Sequence, residues 1–303
     1  MPKTTFSVIM PVYNAEKFLD DALNSIMAQN YQNIEIICLD DASTDSSLDI
    51  LKSWASRDSR IRIISYTTNQ GPGNLRNAGI KIAQGDWLLF SDADDWFENG
   101  LFYKLDEIIQ HHKINIIEFG MYVAKTKTNK KIANWLSYGN SGIKKCSDVD
   151  IMLSTSLWNK AYNRDFFIDN GLYCCENNCS GEEITAHICG FLMAGEFYWL
   201  DFIGYNWRIN PNSMSRSRKR DADFLAGVWD VLNTLKFEMQ RLNLYDEYTY
   251  NKYCATILGW HINEKFSFRR PYRQYYNKCR ELFAKTDQRQ LKPYWRFALK
   301  RIF

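Results

Sequence analysis

Short apolar runs and helix-spaced segments alternate along the first hundred residues. Residues 6–12 are an apolar, strand-like run. Residues 15–29 place Phe18, Leu19, Ala22, Leu23, Ile26 and Met27 at spacings of three and four, the period of an amphipathic helix. A second strand is predicted over 34–39. Ser43 to Ser46 then opens a second helix, because hydroxyls and carboxylates satisfy the free N–H groups of a first turn. Residues 61–64 predict a third strand, 69–73 a loop, 75–83 a helix and 87–90 a fourth strand. Strands separated by helices in this way indicate βαβ units and a mostly parallel sheet. Ligands of such sheets bind beyond the carboxyl ends of the strands. The polar residues after each strand therefore carry the interest: Tyr13 and Asn14, Asp40 and Asp41, Thr67 to Asn69, and Ser91 to Asp95.

Beyond residue 110 the pattern is less regular. Residues 114–119 read as another strand and 125–131 as a polar turn, with structural landmarks at 156–160 and 197–200. From Asp221 a stripe of Phe224, Val228, Val231, Leu232, Leu235, Met239 and Leu242 marks a helix, and Pro271 fits the first turn of another. Three regions result: 1–110, 111–215 as the second half of the same domain, and a helical C-terminal region, 216–303.

Composition narrows the class. The chain has 303 residues, 46% hydrophobic and 24% charged, which excludes wholesale disorder and allows a sizeable core. The net charge of +3 conceals an asymmetry: residues 264–303 hold twelve Lys/Arg against three Asp/Glu, so the remainder is net acidic. No secretory leader is visible, and no apolar run reaches the roughly 18 residues of a membrane span. Eight scattered cysteines fit a reduced, cytoplasmic setting. Cys174, Cys175, Cys179, His187 and Cys189 lack paired Cys-x-x-Cys spacing and read as ordinary thiols rather than a zinc site.

The strongest chemical feature is Ser91-Asp92-Ala93-Asp94-Asp95 at the end of an apolar strand. Three carboxylates in four positions repel one another unless a cation or hydrogen-bond donors compensate, and hard oxygen ligands suit Mg²⁺ or Mn²⁺. Asp40 and Asp41 end the second strand, where they cap a helix or accept from a nucleobase or ribose. There is no Gly-x-Gly-x-x-Gly and no Gly-Lys-Ser/Thr loop, so a phosphate would be met through a metal and basic side chains.

Four segments in order then resemble the donor-binding half of glycosyltransferase family 2, which has the GT-A fold. They are residues 7–14 (Ser-Val-Ile-Met-Pro-Val-Tyr-Asn), 39–45 (Leu-Asp-Asp-Ala-Ser-Thr-Asp), 69–79 (Asn-Gln-Gly-Pro-Gly-Asn-Leu-Arg-Asn-Ala-Gly) and 85–96 (Gly-Asp-Trp-Leu-Leu-Phe-Ser-Asp-Ala-Asp-Asp-Trp). Weaker similarity continues through 157–162, 181–184 and 205–214, so the resemblance covers roughly the first 215 residues. It implies an α/β, Rossmann-like, mostly parallel sheet flanked by helices, with a C-terminal helical extension outside it. It also implies inverting transfer of a hexose or N-acetylhexosamine from a UDP-sugar to a hydroxyl of a cell-surface glycan or lipid-linked glycan.

The resemblance carries site roles. Pro11 and Tyr13 would line the uracil pocket, Asp41 would accept from uracil N3–H, and Arg76 would lie near the base or diphosphate. Asp92 would contact ribose or the metal's water shell, with Ala93 beside it, and Asp94 would hold Mn²⁺ or Mg²⁺ against the diphosphate. The family usually has Glu-Asp where this chain has Glu182-Glu183; Glu183 is the candidate base and Glu182 the reserve. That departure keeps a second reading open, a GT-A scaffold that binds without turnover. A phosphotransferase of the Asp-x-Asp kind fits less well, since its motif follows the first strand. Arg208 and the basic run 216–220 could reach the diphosphate or form a solvated strip. The basic, aromatic tail suits an anionic membrane surface, packing on the body, or an oligomer contact; no nucleic-acid motif accompanies it.

Overall fold

The computed structural model describes residues 4–125, 131–134, 137–176, 181–210 and 222–261. The first four strands and three helices alternate as the pattern predicts: β1 (Phe6–Val12), α1 (Leu19–Met27), β2 (Ile34–Asp40), α2 (Ser47–Ala55), β3 (Ile61–Ser65), α3 (Pro72–Ile82) and β4 (Trp87–Phe90). They are followed by β5 (Trp96–Phe97), α4 (Leu101–His111), β6 (Ile116–Lys125), β7 (Lys131–Asn134), β8 (Gly142–Lys145), β9 (Lys160–Asn163), α5 (Arg164–Asp169), α6 (Ile184–Ala194) and β10 (Glu196–Ile209). Two helices, α7 (Ala222–Arg241) and α8 (Glu247–His261), close the described part.

Among the described residues the strands form one ten-stranded sheet, ordered β3-β2-β1-β4-β9-β6-β10-β5, with β7 on β6 and β8 on β10. β1 runs parallel to β2 and β4, and β2 to β3. β9 enters antiparallel between β4 and β6, while β6 and β10 are parallel. Side chains alternate across the sheet. Phe6, Val8, Met10 and Val12 face a core shared with α1, α2 and α4; Ile9 faces a second core built with α3, α6, α7 and α8. The predicted helical stripe is real: Phe224, Val228, Val231, Leu232, Leu235 and Met239 of α7 are all buried in that second core. The fold is thus the expected α/β, GT-A-type, mostly parallel sheet, and its helical extension packs on the body as far as Leu258. The predicted helix at Pro271, the run 216–220 and the tail lie outside the described residues.

Three boundaries differ from the pattern. α1 starts at Leu19 rather than near 15: residues 16–18 form a turn, and the Ala15 and Glu16 N–H groups donate to Ser47 Oγ (2.8 Å) and Asp45 Oδ2 (3.1 Å). α2 starts at Ser47 rather than within 43–46, with Ser46 at its N-cap and Asp45 Oδ1 accepting from Ser47 N–H at 2.9 Å. α3 starts three residues early, at Pro72, whose fixed φ and missing N–H suit a first helical position.

A buried ion pair pins the centre of the sheet. Lys160 Nζ lies 3.0 Å from Glu118 Oε1, both side chains fully buried. The ammonium also donates to the Ser154 and Ser156 carbonyls (3.1 and 2.7 Å) and to Asn159 Oδ1 (2.8 Å), tying down the loop that precedes β9. Burial raises the Glu118 carboxyl and lowers Lys160, and each charge opposes the other's shift. Lys160→Met should therefore cost about 3–5 kcal/mol by stranding Glu118, and Glu118→Gln added to it should recover part of the loss. Urea unfolding of the wild type and the two variants checks this.

Candidate active site

The polar strand ends converge as the sheet topology requires. Asp41 N–H donates to the Val12 carbonyl at 2.8 Å, which sets the residues after β1 and β2 side by side. Asn14 (φ 48°) and Ala42 (φ 58°) both adopt left-handed backbone there. Asparagine tolerates this, whereas alanine pays roughly 1–2 kcal/mol, a local strain held in place by the surrounding bonds. Asn14 Oδ1 accepts from Thr44 N–H at 2.8 Å. The buried Asp41 carboxylate accepts from Gln70 N–H (2.6 Å) and Gly71 N–H (3.0 Å), so it also fixes the loop leading into α3. Pro11 is partly buried at the end of β1, and the Tyr13 ring beyond it is 54% exposed, an open aromatic face beside Asp41.

The carboxylate turn follows β4. Its Ser91 N–H donates to Ile9 O (3.0 Å), Asp95 N–H closes back on Asp92 O (3.2 Å), and Ala93 is buried. β10 grips it from behind. Tyr205 Oη accepts from Asp92 N–H at 3.0 Å, and the Trp158 ring stacks on Tyr205 at 4.6 Å. Arg208 donates its backbone N–H to Asp95 Oδ1 (2.7 Å) and its Nε to the Asp94 carbonyl (2.7 Å). Its guanidinium lies between the Phe18 and Trp96 rings and pairs with Asp21 at 3.0 Å. Asn210 Nδ2 donates to Asp94 Oδ2 at 2.9 Å. Arg208 is therefore buried as a support of the turn. Tyr205, Trp158 and Asn210 are supports that residue-by-residue reading did not single out; the aromatic content of 157–162 and 205–214 was the available signal.

Burial and mutual repulsion raise the carboxyls of the turn. Burial, then the Asp92 charge, raises the Asp94 carboxyl against the opposing pull of Asn210 and Arg208. Asp95 is pushed well up by burial and by both neighbours. A cation between Asp92 and Asp94 would relieve this repulsion. Among the described residues no three His, Cys, Asp or Glu side chains gather as a ligand set, so a metal here would take other ligands from water or substrate.

Arg76 joins this turn to the candidate base. From α3 its Nη2 donates to Asp92 Oδ1 (2.8 Å) and its Nη1 to Glu182 Oε1 (2.6 Å), with the side chain 8% exposed. Glu182 is thus occupied as the partner of Arg76. Glu183 follows it at the start of α6, partly buried, and its carboxyl is pushed up to about 8 by burial and the Glu182 charge, with Arg76 opposing. The segment before the pair is held on α3: Asn77 exchanges two bonds with the Cys174 backbone (2.9 and 3.0 Å), and Cys175 N–H donates to Glu182 O (2.7 Å). A β-carbon on Gly73 would collide with the Cys175 carbonyl and crowd Glu182. Gly73→Ala should accordingly lower turnover at least tenfold with a stability loss of about 1–3 kcal/mol; activity and thermal melts of the same preparation read both.

The sheet, with its acidic strand ends, has the GT-A architecture. The model of the family described as glycosyl transferase family 2 matches residues 7–171, more than half of the chain, and the chain belongs to that family. The match closes before Glu182 and Glu183. An uncharacterized glycosyltransferase of Haemophilus influenzae is 44% identical over 109 residues, 36% of this chain and 44% of that protein. The Bacillus subtilis uncharacterized glycosyltransferase EpsJ is 29% identical over 216 residues, 69% of this chain and 62% of its own length. The poly(ribitol-phosphate) beta-N-acetylglucosaminyltransferase TarS of Staphylococcus aureus is 26% identical over 275 residues, 88% of this chain and 45% of that protein. The chain thus spans less than two thirds of each of these relatives. A crystal structure of S. aureus TarS in complex with UDP-GlcNAc has the same fold, with a TM-score of 0.76 at 22% identity, covering 98% of this chain and 88% of that one.

Proposed function

We propose that the protein transfers a hexose or N-acetylhexosamine from a UDP-sugar to a hydroxyl of a cell-surface glycan, with inversion and with Mn²⁺ or Mg²⁺. One observation carries the reading: a buried arginine joins the carboxylate turn after β4, through Asp92, to Glu182 beside the candidate base at the start of α6. TarS, which shares the fold, is solved with UDP-GlcNAc.

In this reading residues 1–110 form the donor half and 111–215 the acceptor half. Tyr13 and Pro11 frame the uracil. Asp41 accepts from N3–H, since each carboxylate oxygen keeps a lone pair beyond the loop N–H it already binds. Asp94, seconded by Asp92, would hold the cation, which when bound would supply charge neutralisation of the leaving diphosphate without proton transfer. Glu183 takes the acceptor hydroxyl's proton on the opposite face, which inverts the anomeric carbon on direct displacement. The 264–303 segment, with its twelve basic residues, docks on an anionic membrane surface near a lipid-linked acceptor. The described residues contain no helix long and apolar enough to cross a membrane.

A panel of UDP-, GDP- and CMP-sugars, with Mn²⁺ or chelator and no acceptor, tests the class. The reading predicts cation-dependent UDP release from one UDP-sugar. Release of GDP or CMP instead would overturn the uracil-pocket assignment.

A further inference from the structure

We propose that Arg76 couples donor occupancy to the base: its guanidinium is shared between Asp92 and Glu182 in the free protein, and turns wholly to the Glu182–Glu183 pair once the nucleotide diphosphate and its cation occupy Asp92. The inference rests on the donor-site reading above.

The geometry puts α3 and the loop before it in contact with Asp41, Asp92 and Glu182. The loop before α3 binds Asp41 through the Gln70 and Gly71 N–H groups. Arg76 reaches Asp92 and Glu182, and Asn77 and Gly73 hold the segment that leads to Glu183. The guanidinium is nearly inaccessible to water, so its charge is weakly screened and its division between two carboxylates matters.

The groups around Glu183 leave Arg76 as the adjustable one. Glu182 stands beside it, Arg76 faces it from α3, and Asp92 from the turn after β4. Lys160 and Tyr162 face it from β9, and Cys174 from the preceding segment. Lys160 is committed to Glu118 and the 154–159 loop, and the two neutral groups carry no charge to redistribute. In the free protein Asp92 draws part of the arginine's charge away, and burial keeps Glu183 protonated to about 8. When the donor's cation satisfies Asp92, the guanidinium's charge falls on the glutamates. Glu183 then loses its proton to bulk solvent, the O–H bond being the only bond broken, and the base forms only when a nucleotide diphosphate and its cation fill the donor site. Donor binds before acceptor in this scheme.

Proton release on binding tests it without turnover. UDP with Mg²⁺ is titrated calorimetrically at about pH 7.5, below the Glu183 value, in buffers of different ionisation enthalpy. The wild type should release up to about one proton more than Glu183→Gln. Arg76→Met should abolish that difference. Glu182→Gln, which keeps an acceptor for Arg76 while removing the charge that raises Glu183, should shrink it. Equal release by wild type and Glu183→Gln, with UDP bound by both, overturns the coupling and leaves the donor site intact. A difference that survives Arg76→Met overturns the role of Arg76. Absence of UDP binding in folded wild type overturns the donor reading itself.

Discussion

Glu183→Gln should abolish sugar transfer, by about 10²–10⁴-fold, while UDP affinity stays within a few-fold of wild type. Glutamine keeps the size and hydrogen-bonding shape but cannot take a proton. The same variant should be more heat-resistant at neutral and alkaline pH. Glu183 holds its proton more tightly folded than unfolded, its carboxyl being raised to about 8. Its stabilising contribution is therefore complete below the ordinary carboxylate range and is lost as pH rises toward about 8. Wild type and variant should melt together in acid, and the variant should gain steadily until the difference levels near that value. In the wild type, kcat/KM for the donor should climb with pH up to about 8, because it reports the free enzyme. The kcat profile should bend at lower pH, where the loaded enzyme has already released the proton. Glu183→Asp should retain partial activity. A pH-independent rate, or full turnover by Glu183→Gln, would remove Glu183 from the chemistry.

Asp94→Asn should lower kcat/KM by about 10²–10³-fold and shift half-saturation by Mn²⁺ to higher concentration. The asparagine still has an oxygen for the Asn210 amide, so the turn keeps its shape. Removing the charge also relieves the repulsion that raises Asp94 and Asp95, so stability should be unchanged or higher. The cation dependence of UDP binding, followed calorimetrically in both proteins, reads this directly. Identical cation dependence would show that Asp94 does not hold the ion.

The donor half was legible because parallel strands buried on both faces read as unbroken apolar runs, and their polar ends fall where the topology exposes them. The Asp40–Asp41 pair and the Asp92–Asp95 cluster therefore stand out by position, and the roles of Asp41, Asp92 and Asp94 come from the family resemblance. The linking residues were harder to see. Arg76 reaches Glu182 across 106 positions of sequence, and Tyr205 meets Asp92 across 113. Neither distance leaves a periodic trace. Lys160 falls in the 156–160 landmark, but nothing local shows that it is fully buried; β9 inserts antiparallel between β4 and β6 and carries it against Glu118. The start of α1 is hidden for a related reason: the residues before it are tied to Asp45 and Ser47, some thirty positions away.

Calorimetric titration of UDP into the folded protein, with Mn²⁺ and then with chelator, tests the central claim most directly. The account predicts saturable one-site binding that needs the cation. Asp41→Asn, which turns an acceptor toward uracil N3–H into a donor, should weaken it about 10–100-fold. A protein that melts cooperatively yet takes up no UDP in the presence of Mn²⁺ would contradict the assignment of the strand-end cleft as a nucleotide-sugar site.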